Sequence, residues 1–178
     1  MKLIKKYMTQ ILLFESVKNT DERGYFMRSY CQKIFKSEGI KDHLSQINIS
    51  HNEKKHTLRG YHYQEYPHSE SKIISCIKGQ IFFSLLCLDK KSKFYLQTCN
   101  MDLSEDDSRI CYVPKGFATA FLTLKDKTQI LYLMSDEFMP NYGRGIRYND
   151  KIINENWPHK PKIISQKDLN FPEYIDNI

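Results

Sequence analysis

Nothing in this chain approaches the run of roughly 18 apolar residues that a membrane-spanning helix requires. The N-terminal stretch "MKLIKKYMTQILLFES" begins basic and turns apolar, but it lacks a sustained apolar core and a small-residue cleavage site, so it does not read as a signal peptide. There is no CxxC pair, and the five cysteines (Cys31, Cys76, Cys87, Cys99, Cys111) are an odd number. Most sit inside apolar runs, where a free thiol behaves as a small buried hydrophobe, a usage that suits the reducing cytoplasm. Internal repeats, low-complexity linkers and breaks in composition are also missing, which predicts a single domain over residues 1–178. The formal net charge is +6, yet no basic helix or dense Lys/Arg tract concentrates it. That dispersal argues against a nucleic-acid partner and fits a pocket for an anionic small molecule such as a phosphate ester.

What the chain does have is aromatic residues, 12 Tyr and 10 Phe, in short apolar runs separated by turn residues. Aromatic and β-branched side chains favour strands. Strands are predicted in "GYFMRSY", "LSQINISH", "TLRGYHYQ", "KIISCI", "QIFFSLLCL", "FYLQTCNM", "RICYVP", "ATAFLTL" and "TQILYLM", with a tight turn at Lys78-Gly79. One helix is predicted in "SYCQKIFKSEGI", capped by Ser29 and ended by Gly39. The tail from residue 150 holds three of the six prolines and reads as irregular with at most one short helix. Strands apolar on both faces imply sheet packed on sheet, hence an all-β jelly roll or barrel.

Histidines on neighbouring barrel strands raise the question of metal. A tight transition-metal site needs three or four converging ligands. His62 has Tyr63 and Gln64 beside it, and Thr119 in "VPKGFATAF" stands where the later histidine of a metal-holding cupin would be. No metal is therefore expected, and His68, beside Pro67 in a polar loop, reads as a solvated histidine.

Several phrases then line up in order: "DERGYF", "QINIS", "LRGYHYQ", "SKIISCIKGQIF", "VPKGFATAF", "LYLMSDEFMP", "YNDKIINENWP" and "SQKD". Together, from about residue 10 to 170, they resemble the nucleotide-sugar 3,5-epimerase family, whose type member acts on dTDP-4-keto-6-deoxyglucose. The resemblance implies a cupin-type jelly roll, homodimeric and cytoplasmic, that binds a nucleotide-diphosphate sugar and uses no cofactor. Inverting a carbon beside a ketone requires a base on one ring face, an acid on the other and an electrophile for the enolate oxygen. By resemblance His62 is the base, Asp168 its partner, Tyr132 the acid and Lys72 the cation. A tyrosine serves as acid if its surroundings or a nearby cation lower its pKa. Arg23 and Arg59 match contacts to the diphosphate and substrate, a task suited to guanidinium. Phe26, Gln46, Asn48 and Lys167 fall on further substrate-binding positions, and Phe138 on the place of a base-stacking tyrosine. Read without the family, Asp168 is equally a helix N-cap, Tyr132 core packing and Lys72 a snorkelling side chain.

The sequence also departs from that pattern. Thr119 replaces a sugar-contacting histidine, Phe83 an acidic residue, and Gly143 matches a glutamate position. Arg28 replaces a glutamate that accepts from thymine N–H; an arginine only donates, which raises the expectation of a base other than thymine. The leading reading is an epimerase acting at C3, C5 or both. Its rivals are a single-carbon epimerase on a CDP- or GDP-linked sugar, a sugar-nucleotide ketoisomerase, and a non-catalytic cupin that binds a sugar nucleotide.

Overall fold

Ile11 to Phe14 are four consecutive apolar residues, and a strand turns successive side chains to opposite faces, so both faces of this segment need cover. The computed structural model, which describes residues 1–153, 155 and 157–175, shows how that cover is supplied. In chain order the strands are β1 (Lys2–Tyr7), β2 (Ile11–Glu15), β3 (Lys18–Asp21), β4 (Gly24–Met27), β5 (Gln46–Asn52), β6 (Leu58–Gln64) and β7 (Lys72–Lys78). They continue with β8 (Gln80–Cys87), β9 (Thr98–Ser104), β10 (Arg109–Val113), β11 (Phe117–Thr123), β12 (Thr128–Met134) and β13 (Gly143–Gly145). Two short helices are α1 (Gln32–Ser37) and α2 (Gln166–Leu169).

One antiparallel sheet runs β1-β2-β10-β7-β12-β5 and the other β13-β6-β11-β8-β9, while β3 and β4 pair as a separate hairpin. This is the all-β jelly roll expected from the sequence. Ile11, Leu13, Ile74, Phe83, Met101 and Phe121 meet between the sheets. Leu12 and Phe14 point the other way and are covered by α1, whose Phe35 stacks on Phe14 with ring centroids 4.6 Å apart. On the outer face of the second sheet, Tyr61, Leu86 and Ala118 are covered by Ile152, Trp157 and Tyr174 of the tail. Four of the cysteines are buried, as expected, and Cys31 is half-buried.

Several local expectations change. The predicted strand "FYLQTCNM" starts only at Thr98, because residues 94–97 form turns that return the chain to Cys87. Ser29 does not cap α1. Cys31 occupies that place in extended backbone without a side-chain cap bond. Gly39 does end the helix: at φ +86 it lets its own N–H reach Lys36 O and Ile40 N–H reach Phe35 O, a paired C-terminal closure. Strands β1, β2, β3 and β13 had not been expected.

Candidate active site

The site is built around β6. Its register with β11 slips between Thr119 and Phe121, and Gly60 occupies the slip at φ +112. A Cβ there would lie 2.5 Å from Thr119 O and 2.7 Å from Ala120 Cα, so only glycine lets the strands approach this closely. The slip leaves the Gly60 N–H free to donate to Asp168 Oδ2 at 3.2 Å. Asp168 reaches β6 from α2, where Ser165 is the N-cap and accepts from the Asp168 N–H at 3.0 Å. Because Ser165 caps the helix, the Asp168 carboxylate is available for other bonds, and the N-cap alternative for Asp168 is set aside. Its Oδ1 lies 2.9 Å from His62 Nε2, and the residue is only 5% exposed. Burial pushes the Asp168 carboxyl up, but hydrogen bonds from His62, Gly60 and Ser165 outweigh it and hold the pKa below the usual range. An ionised Asp168 favours, in a neutral imidazole, the tautomer with its proton on Nε2, which leaves the Nδ1 lone pair free.

His62 stands in one sheet and Tyr132, on β12, in the other, and both line a single cavity of about 580 Å³. Lys72 enters from the first residue of β7. Its Nζ donates to His62 O at 3.0 Å and Thr119 Oγ1 at 2.9 Å, and it lies 3.2 Å from Glu70 Oε1. Lys72 is therefore held in a polar cradle rather than snorkelling. Burial raises the Tyr132 pKa above the ordinary phenol value, with Arg59 acting weakly the other way. The condition of a lowered phenol is not met here. With its pKa raised, the Tyr132 hydroxyl stays protonated at neutral pH.

Arg59, Thr119, Phe138 and Lys167 also line the cavity. Arg59 is oriented by Asn52, whose Oδ1 accepts from its Nε at 2.8 Å. The loop bearing Phe138 is pinned at two points, by Phe138 N–H to Gln46 Oε1 and Met139 N–H to buried Gln64 Oε1. Phe138 itself stays 59% exposed, and its ring lies against Gly143, where a Cβ would approach it to 3.3 Å. Gln46 and Asn48 do not line the cavity but pair across β5–β12 with Met134 and Tyr132, which places their side chains on the cavity's face of the sheet. Arg23, Phe26 and Arg28 stand apart on the β3–β4 hairpin and its exit, outside this chain's cavity. Arg23 pairs with Asp21, Phe26 is 73% exposed, and the Arg28 side chain is exposed.

His68 is not a freely solvated histidine. Its ring packs against Tyr142 at 4.7 Å, and its Nδ1 lies 3.4 Å from Asp136. Phe83 lies in the core with Phe121, so no charge stands at that position behind the site. Among the described residues, no group of three or more His, Cys, Asp or Glu side chains is placed to hold a metal ion.

Sequence reasoning missed Glu70, Arg144 and Phe171, all of which line the cavity. Phe171 meets the His62 ring edge-on at 6.0 Å and fits because Gly145 has no Cβ, which would otherwise come within 2.1 Å of it. Glu70 lies two residues before Lys72 in a polar stretch, His68-Ser69-Glu70-Ser71, where nothing in the sequence marks it out from a solvated loop acid.

The model of the family described as dTDP-4-dehydrorhamnose 3,5-epimerase matches residues 5–176. The Shigella flexneri enzyme of that name is 32% identical over 177 residues, covering 99% of this chain and 97% of its own. The Bacillus anthracis dTDP-4-dehydrorhamnose 3,5-epimerase, solved with TDP and pyrophosphate bound, superposes with a TM-score of 0.93 at 32% identity, covering 97% and 99% of the two chains. A Legionella pneumophila 3,5-epimerase in complex with dTDP-4-keto-L-rhamnose gives 0.89 at 27% identity, covering 98% and 99%. A shared backbone, a matching family model and a common length lead to one conclusion: this chain belongs to the dTDP-4-dehydrorhamnose 3,5-epimerase family.

Proposed function

We propose that the chain, working as one domain, epimerises a dTDP-linked 4-keto-6-deoxy sugar at C3 and C5. The observation that carries this reading is the placement of His62 and Tyr132 on opposite sheets of one cavity, with Lys72 cradled beside His62. His62 Nδ1 removes the proton next to the ketone while Asp168 holds Nε2–H. The electron pair moves onto the carbonyl oxygen, and the Lys72 ammonium stabilises the enolate charge. The Tyr132 hydroxyl then gives its proton to the opposite face of the same carbon, and exchange with water restores both groups. The high pKa of Tyr132 suits a group that must arrive protonated. The exposed guanidinium of Arg59 and ammonium of Lys167 bind the diphosphate, and the Phe138 ring stacks on the base.

Arg23, Phe26 and Arg28 enter this scheme through a second copy of the chain. The exposed aromatics Tyr25 and Phe26 on the β3–β4 hairpin, and Ile47 and Ile49 on edge strand β5, are apolar surface that a homodimer would cover. No helix is long and apolar enough to cross a membrane. The free, mostly buried cysteines support a place in the cytoplasm, where sugars for polysaccharide assembly are made.

The test is product stereochemistry. With dTDP-4-keto-6-deoxyglucose as substrate, ring-proton couplings in the NMR spectrum should report inversion at both carbons. A product inverted at one carbon only would narrow the reading to a single-site epimerase, and an unchanged sugar would end it. Competing dTDP, CDP and GDP against one another checks the base, and dTDP should bind tightest. A preference for CDP or GDP would instead make Arg28 the base-reading residue.

A further inference from the structure

Glu70 has no part in the chemistry above, yet its side chain is 3% exposed and lines the cavity. Its Oε1 lies 3.2 Å from Lys72 Nζ, while Oε2 is buried and makes no hydrogen bond among the described residues. A carboxylate serving only as a structural tie would satisfy both oxygens, because leaving one unserved in a buried place is costly. The contact this carboxylate does make is with the site's cation. Lys72 is itself 6% exposed at the side chain, and its other acceptors, His62 O and Thr119 Oγ1, are neutral. Neutral acceptors orient an ammonium, but they compensate its charge far less than a carboxylate in contact does.

We propose that Glu70 is a positioning residue: its carboxylate keeps Lys72 an ammonium within the cavity and holds that cation beside His62. The assignment rests on the reading of Lys72 as the group that stabilises the enolate oxygen. A neutral amine at this point would still fill the space but would offer the developing oxyanion little. Burial pushes the Lys72 pKa down, and the charge and hydrogen bond of Glu70 are what act against it. Removing the negative charge while keeping the shape must therefore let Lys72 lose its proton at lower pH.

The experiment follows the Lys72 side-chain signal by NMR in lysine-labelled full-length protein, assigned with Lys72→Met, across pH in wild type, Glu70→Gln and Glu70→Asp. Lys72 is expected to be charged at neutral pH in wild type and to deprotonate about 1–3 pH units lower in Glu70→Gln, with the charge-retaining Glu70→Asp in between. The wild-type to Glu70→Gln ratio of deuterium exchange into dTDP-4-keto-6-deoxyglucose should then approach one below the new Lys72 value, grow about tenfold per pH unit between it and the wild-type value, and level off above that. A purely structural role would give a ratio that does not change with pH. That result, coincident Lys72 titrations in the two proteins, or a Lys72 already neutral at pH 7 in wild type would each overturn the proposal. Where Glu70→Gln does not fold, Glu70→Asp decides: a Lys72 titration below that of wild type supports the proposal, and one that coincides with it overturns it. Should Lys72 move as expected while neither protein exchanges the sugar's protons, the role of Glu70 stands and the epimerase reading fails.

Discussion

His62 Nε2 lies 2.9 Å from Asp168 Oδ1, a contact that joins residues 106 positions apart in the sequence. It ties the tail to β6 and decides which imidazole nitrogen carries the proton. In Asp168→Asn the side chain keeps its size but loses the charge and offers an amide that can donate to Nε2 and favour the wrong tautomer. Deuterium exchange into the substrate is expected to fall by about 10²–10⁴-fold, with the KM for the sugar nucleotide little changed. Exchange within a few fold of wild type would remove Asp168 from the mechanism.

The same contact has a signature in stability. Asp168 titrates below the ordinary carboxyl value in the folded protein, chiefly because its bonds from His62 and Gly60 overcome the effect of burial. A group with a lowered folded pKa contributes stability above its unfolded value of about 3.9, and that contribution is lost as pH falls through the folded value. Urea midpoints of wild type and Asp168→Asn should therefore differ at pH 5 and converge as the solution is acidified below pH 4. A difference that grows on acidification would contradict this.

Gly60 is expected to be intolerant of any side chain. At φ +112, with Thr119 O only 2.5 Å from a Cβ position, Gly60→Ala should cost more than about 1 kcal/mol in urea unfolding. It should also weaken catalysis by displacing the N–H that donates to Asp168. A fully stable and active Gly60→Ala would mean that β6 and β11 have more room than the register shift indicates.

Much of the fold could be read in advance because its central strands are apolar on both faces and bounded by turns. Of the strands that escaped, β2 does carry that pattern, but its ILLF falls inside the N-terminal stretch weighed as a signal peptide; the other three lie where the surroundings ask for no such pattern. Strand β1 is an edge strand with Lys2, Lys5 and Lys6 exposed, a composition that blunts the edge and hides the strand. In β3 the sequence is KNTD, with no apolar residue at all, and in β13 it is GRG, three residues long. The site divides in the same way. His62, Asp168, Tyr132 and Lys72 were legible through the order of short phrases and their resemblance to a family, and the structure brings all four to one cavity. Phe171 was not, because what gives it importance is His62, distant in sequence, and the gap left by Gly145; Glu70 was not, because in a polar stretch only the fold shows its carboxylate buried against Lys72 Nζ. Arg23, Phe26 and Arg28 were named from sequence but sit on a hairpin that this chain's own cavity does not include.

Arg59 is held by Asn52 and is one of the cations at the cavity mouth. Arg59→Ala should raise the KM for the sugar nucleotide by about tenfold or more, in line with about 1.5–3 kcal/mol for a charge-assisted hydrogen bond, while kcat falls less. Part of the loss should persist in Arg59→Lys, since an ammonium cannot form the two parallel bonds of a guanidinium. An unchanged KM in both variants would place the diphosphate elsewhere.

The central claim is that His62 and Tyr132 work on opposite faces of the sugar ring, and Tyr132→Phe in D₂O tests it most directly. With dTDP-4-keto-6-deoxyglucose followed by NMR, that variant should still wash deuterium into the positions His62 can reach, with configuration retained, because the face opposite His62 has lost its donor. His62→Ala should lose wash-in and inversion together, by about 10²–10⁴-fold. Inversion at the wild-type rate in Tyr132→Phe, or undiminished deuterium uptake in His62→Ala, would contradict the account.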